Sequence, residues 1–198
     1  MGRHLLAHCI SMWSLLVAAL SAFGVMFVAE LGDKTQLLAL GFGARYSLRT
    51  VAIGLALGYA AAGSIAAAIG GILGSALPER PIGLAAGALF LVFAALALKE
   101  EDAEEQRVVL TRSVVASIAL TIAIAEMGDK TQLSTAALAA RSNPVAVWVG
   151  ATGGELAAGM IGAVAGQRIG AKFDARTLRG ASAVLFAVFG VVLIVTAW

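Results

Sequence analysis

Cysteine occurs once in this chain, at Cys9, and histidine twice, at His4 and His8. A single cysteine closes no disulfide within the chain and leaves no thiol pair for redox chemistry. His4 and His8 stand at i,i+4 spacing and would suit a metal on one helix face. A short interfacial stub over residues 1–13, with Trp13 at headgroup level, is the simpler reading. Charge is scarce as well: Asp, Glu, Lys and Arg make up 13% of the residues. Proline is limited to Pro78, Pro81 and Pro144, all between apolar runs. What abounds is apolar: 60% of the chain is hydrophobic, mean hydropathy is +0.92, and 23 glycines suit close helix packing in lipid. These proportions exclude an ordinary soluble domain and predict an all-α polytopic membrane protein.

Six apolar segments follow in order, at about 15–42, 51–77, 82–98, 114–140, 145–166 and 178–198. The first is about 40 Å long as a helix, longer than the roughly 30 Å apolar core, so it must tilt or break, and Gly32 beside Asp33 is the weak point. Leu15 to Leu20, followed by Ser21 and Ala22, imitates a signal peptide. Cleavage there would remove half of the segment that carries Glu30, and the reading is rejected. Lysine and arginine set the orientation. The loops after segments one, three and five hold nine of them (Arg45, Arg49, Lys99, Arg107, Arg112, Arg168, Lys172, Arg176, Arg179), against three on the other side (Arg3, Arg80, Arg141). Both termini are therefore expected outside a cell (inner) membrane, with the acidic stretch around Glu100–Glu105 in the cytoplasm. That stretch could gather cations, but a solvated linker explains it as well.

The nine residues Ala29-Glu30-Leu31-Gly32-Asp33-Lys34-Thr35-Gln36-Leu37 recur, nearly letter for letter, as Ala125-Glu126-Met127-Gly128-Asp129-Lys130-Thr131-Gln132-Leu133, 96 positions on. The same ungapped shift aligns Arg45 with Arg141, and Gly54, Gly58, Gly63, Gly70 and Gly74 with Gly150, Gly154, Gly159, Gly166 and Gly170. It also aligns Leu89-Phe90 with Leu185-Phe186. The expected organisation is a stub over 1–13, a first three-helix repeat over 14–98, an acidic cytoplasmic linker over 99–112 and a second three-helix repeat over 113–198. Three spans per half is an odd number, so the halves insert with opposite orientation. That is the inverted-repeat plan of secondary transporters, with the site at the midplane between repeats.

Charged side chains inside such segments are expensive and usually functional. On an unbroken helix Glu30 and Asp33 are i,i+3 neighbours, Lys34 is i+4 from Glu30, and the second motif repeats this. If the repeats face each other, Glu30, Asp33, Glu126 and Asp129 converge, with Thr35, Thr131, Gln36 and Gln132 as neutral oxygens nearby. Hard oxygen donors suit Mn²⁺, Ca²⁺ or Mg²⁺. No histidine or cysteine lies near either motif, which argues against zinc or copper; Met26, one turn before Glu30, is a soft ligand or plain packing. Four acids with Lys34 and Lys130 sum to −2, so one divalent cation neutralises the cluster, and two protons would do the same. A purely structural account, with Glu30–Lys34 and Glu126–Lys130 as intrahelical pairs that glue the bundle, does not require Gly-Asp at the same place in both halves. Glu155, aligned with Tyr59, breaks the symmetry and is an accessory metal or proton site, or a residue beside a small aqueous cleft.

The doubled Glu-x-Gly-Asp-Lys-Thr motif resembles that of the Gdt-type cation/proton exchangers, also called uncharacterised protein family 0016, over about Leu15 to Trp198. That family takes in bacterial manganese exporters of the MneA type and Golgi Ca²⁺/Mn²⁺ transporters. The resemblance implies metal binding by Glu30, Asp33, Glu126 and Asp129, and exchange of Mn²⁺ or Ca²⁺ for protons. Together these readings give a secondary transporter that exports a divalent cation, Mn²⁺ before Ca²⁺, with protons as counter-ion and no cofactor. A Ca²⁺/H⁺ antiporter and a passive divalent-cation channel are the alternatives. An intramembrane enzyme lacks a nucleophile or a histidine-based metal site. The expected partners are the metal ion and the bilayer, not nucleic acid; the oligomeric state stays open, a homodimer being one option.

Overall fold

The structure, a computed structural model, describes residues 2–97, 108–168 and 175–197. Among them every regular element is a helix: α1 (Gly2–Glu30), α2 (Lys34–Gly43), α3 (Leu48–Ala76), α4 (Glu79–Ala97), α5 (Val114–Glu126), α6 (Lys130–Ala139), α7 (Pro144–Arg168) and α8 (Ala175–Thr196). Four of them hold stretches long and apolar enough to cross a membrane: Met12–Glu30, Leu48–Ala76, Glu79–Leu96 and Pro144–Arg168. Val114–Glu126 and Phe186–Thr196 are apolar but shorter. The stretch read as an interfacial stub is helical from Gly2 and continuous with α1. His4, His8 and the acidic stretch 98–107 fall where side chains or backbone lie outside the described residues.

Local chemistry sets most boundaries. Ser47 caps α3 by accepting from the Thr50 N–H at 3.3 Å, and Ser113 caps α5 by accepting from Ala116 N–H. Asn143 accepts from the Ala146 N–H at 3.0 Å, with Pro144 at the first position of α7, where a missing N–H costs nothing. Pro81 was expected outside a helix, yet it sits in the first turn of α4, which tolerates it for the same reason. Both motif-bearing segments break at the motif. α1 gives way to α2 at Leu31–Asp33, and α5 to α6 at Met127–Asp129.

Each broken pair packs on the unbroken helix of the other half. α1 and α2 lie on α7, α5 and α6 lie on α3, and α3 and α7 cross each other at the centre. Glycines permit the approach at equivalent places. A Cβ on Gly58 would stand 2.8 Å from the Ala119 carbonyl oxygen of α5, and one on Gly154, 96 positions on, would stand 2.9 Å from the Phe27 nitrogen of α1. α4 and α8 pair through Phe90, Phe93, Phe186 and Phe189, with ring centroids of Phe90 and Phe186 5.7 Å apart.

The α4–α8 pair is seated unevenly. It reaches α1 and α6, burying Ala22, Val25, Met26 and Ala29 in the same core as Phe90 and Phe186, but makes no comparable contact with α2 or α5 among the described residues. On α5 the positions equivalent to Ser21 and Val25 are Ser117 and Thr121. Their hydroxyls accept from the backbone N–H groups of Thr111 at 2.8 Å and Val109 at 2.9 Å, so residues 108–112 fold back along that helix.

Candidate cation site

Glu30 is the last residue of α1 and Asp33 the N-cap of α2; Glu126 and Asp129 hold the same places between α5 and α6. Gly32 and Gly128 make the turn between them at φ of +79° and +78°, a left-handed conformation that disfavours any residue with a Cβ. Neither aspartate caps its helix with its side chain. The glutamine three residues on ties down the turn instead: Gln36 Oε1 accepts from Gly32 N–H and Gln132 Oε1 from Gly128 N–H, both at 2.7 Å, just before each N-cap. Each glutamine then donates across to the other half, Gln36 Nε2 to the Ala158 carbonyl at 3.0 Å and Gln132 Nε2 to the Ala62 carbonyl at 3.4 Å. The aspartates are thereby left with their carboxylates turned inward.

Thr35 donates its hydroxyl to Glu30 Oε1, and Thr131 to Glu126 Oε2. Glu30, Asp33, Glu126, Thr35, Thr131 and Glu155 are all buried. The lysines cross between halves. Lys34 Nζ lies 3.2 Å from Asp129 Oδ1, and Lys130 Nζ lies 3.1 Å from Asp33 Oδ1. This corrects the i,i+4 pairing of Glu30 with Lys34 and of Glu126 with Lys130 expected from an unbroken helix. The turn at the glycine swings each lysine away from its own glutamate. The intrahelical account of the charges fails with it.

Each of the four motif acids has one oxygen engaged and one without a hydrogen-bond partner: Glu30 Oε2, Asp33 Oδ2, Glu126 Oε1 and Asp129 Oδ2 are all buried and unpartnered. A buried carboxylate oxygen with no donor is costly and calls for explanation. With the lysines standing between the aspartates, no three acidic, histidine or cysteine side chains among the described residues are gathered tightly enough to ligate one ion. An ion would have to draw the four oxygens in and compete with the ammonium groups for the aspartates.

Sequence reasoning missed Tyr59. Its hydroxyl donates to Glu30 Oε1 at 2.8 Å, and the residue is fully buried. The available signal was its alignment with Glu155. Met26, weighed as a soft ligand, is fully buried in the apolar core, and its sulfur accepts from the Thr135 hydroxyl at 3.5 Å.

The divalent cation/proton antiporter GDT1 family matches the chain over residues 18–105 and 114–198. A GDT1-like protein of Synechocystis is 34% identical over 201 residues, 90% of this chain and 97% of its own length. The chloroplastic protein PAM71 of Arabidopsis thaliana is 31% identical over 88% of this chain and 55% of its own. A Vibrio cholerae protein named "Putative manganese exporter" is 30% identical over 80% of this chain and 81% of its own. No solved structure matches. With both motif-bearing halves inside the matched residues, the chain belongs to the divalent cation/proton antiporter GDT1 family.

Proposed function

We propose that this chain exports Mn²⁺ from the cytoplasm in exchange for protons, through six spans arranged as two inverted three-helix repeats. The observation that carries the reading is the set of four buried, unpartnered carboxylate oxygens at equivalent places in the two halves. The reciprocal packing of each broken helix pair on the other half's unbroken helix supports the two-fold plan. In it α1–α2 and α5–α6 are each one interrupted span, and α8 completes the sixth. The name of the Vibrio relative favours Mn²⁺ over Ca²⁺, which the same hard donors also suit.

The site works by charge. Four carboxylates and two lysines sum to −2, and one divalent cation brings the total to zero. A neutral site crosses low dielectric far more readily than a charged one. Without the metal, two protons from outside do the neutralising, which couples one ion out to two protons in. Lys34 and Lys130 act as tethered counter-charges that hold the aspartates when no metal does. Thr35, Thr131, Gln36 and Gln132 fix the carboxylates and the turns, and Glu155, an accessory proton site that keeps its own proton, stands outside this count.

Inverted membrane vesicles test the proposal. An acid interior is expected to drive Mn²⁺ accumulation, and collapse of the pH gradient to stop it. Accumulation that follows voltage and ignores the pH gradient refutes exchange in favour of a channel. Preference for Ca²⁺ under the same gradient transfers the reading to a Ca²⁺/H⁺ antiporter.

A further inference from the structure

We infer that Tyr59 is a positioning residue that makes the two half-sites unequal: it pins Glu30 as the fixed carboxylate, while Glu126, facing Glu155 at the equivalent place, is the one that rearranges. The inference rests on the carboxylate site proposed above.

Position 59 of α3 and position 155 of α7 are related by the 96-residue shift, and Tyr59 reaches the motif glutamate of its own half. In the first half that side chain is a phenol. Its hydroxyl and that of Thr35 both donate to Glu30 Oε1, so this oxygen is held from two sides while Oε2 stays unpartnered. The ring cannot drift. It is buried among Leu55, Ile118, Ile122 and Ala39, and its hydroxyl lies against Gly159, where a Cβ would come within 3.0 Å of it. A carboxylate whose rotamer is locked by two donors is a preorganised ligand.

In the second half Thr131 donates to Glu126 Oε2, and Glu126 Oε1 has no hydrogen-bond partner. At the place of the phenol stands Glu155, and no hydrogen bond joins it to Glu126 among the described residues. Glu126 thus lacks the second donor that Tyr59 gives Glu30. When the ion arrives or leaves, Glu30 has one arrangement available and Glu126 has several. The ion would be captured against the first half and handed over by movement of the second.

The test uses the full-length protein in proteoliposomes with Mn²⁺ as the probe. Binding is measured by calorimetry and transport under a fixed pH gradient. Tyr59→Phe removes the donor and keeps the ring. It is expected to raise the Kd and the KM for Mn²⁺ about tenfold, the scale of one hydrogen bond to a charged group, with the maximal rate within about twofold. Gly159→Ala displaces the hydroxyl from a different helix, favours that helix rather than breaking it, and should give the same split. Glu155→Tyr supplies the second half with a phenol. It should leave Kd unchanged or lower and cut the maximal rate about tenfold, because both glutamates are then pinned. If wild type binds Mn²⁺ while Tyr59→Phe and Gly159→Ala bind it equally well, the positioning role is refuted and the site stands. A loss of maximal rate at unchanged KM in both variants likewise refutes it. If wild type binds no divalent cation, the carboxylate site falls and this inference with it.

Discussion

Lys130→Met is the sharpest probe of the crossed lysines. Lys130 Nζ stands 3.1 Å from Asp33 Oδ1, and the side chains are 22% and 5% exposed. At that separation, with an effective dielectric of about 20, the attraction is about 5 kcal/mol. Solvent reaching the lysine, and water following the methionine, take back half or more, which leaves about 2 kcal/mol against the metal-free protein. A bound divalent cation supplies the lost charge itself, so the metal-bound protein suffers little. The difference appears as tighter binding, about 25-fold in Kd for 2 kcal/mol, and as slower release. Lys34→Met should do the same more weakly. Its partner Asp129 is 17% exposed and Lys34 itself 29%, so water already screens that pair. The assay is equilibrium Mn²⁺ binding on detergent-solubilised protein, alongside turnover in proteoliposomes. A Kd within twofold of wild type in both variants, or an effect larger for Lys34 than for Lys130, refutes the reasoning.

Glu30→Gln, Asp33→Asn, Glu126→Gln and Asp129→Asn should each abolish Mn²⁺ transport in vesicles while inserting at normal levels; full transport by two of the four removes the four-carboxylate site. Gly128→Ala meets no atom within 4 Å of the new Cβ, so it tests backbone conformation alone. It should lower stability by about 1–2 kcal/mol, read as a fall in Tm, and an unchanged Tm would show that the turn relaxes freely. In a background with Cys9 replaced, Glu104→Cys should resist an impermeant thiol reagent in intact cells, and a cysteine added after Trp198 should react. The reverse pattern inverts the topology.

The motif, its repetition at 96 residues and the break at Gly32 could all be read from the chain, because a charged Gly-Asp step has few uses inside an apolar run. The partners of Lys34 and Lys130 could not. Spacing along a helix assigns Lys34 to Glu30 only if the helix continues, and the left-handed glycine redirects everything after it. Tyr59 was hidden for a different reason. One tyrosine among alanines and glycines reads as packing, and only the hydrogen bond to Glu30 separates the two roles. The uneven seating of α4 and α8 depends on contacts between distant segments, on which composition and periodicity are silent.

That seating has a mechanical consequence. In the proposed orientation α1 and α6 lie in the outer leaflet and α2 and α5 in the cytoplasmic one, so a pair resting on α1 and α6 shuts the outer route. Through the 96-residue register, the face of α5 around Ser117 and Thr121 matches the face of α1 on which α4 and α8 rest. That face of α5 is already taken, because Val109 and Thr111 are tied to Thr121 and Ser117. Two backbone hydrogen bonds, about 1 kcal/mol each, hold that segment against α5.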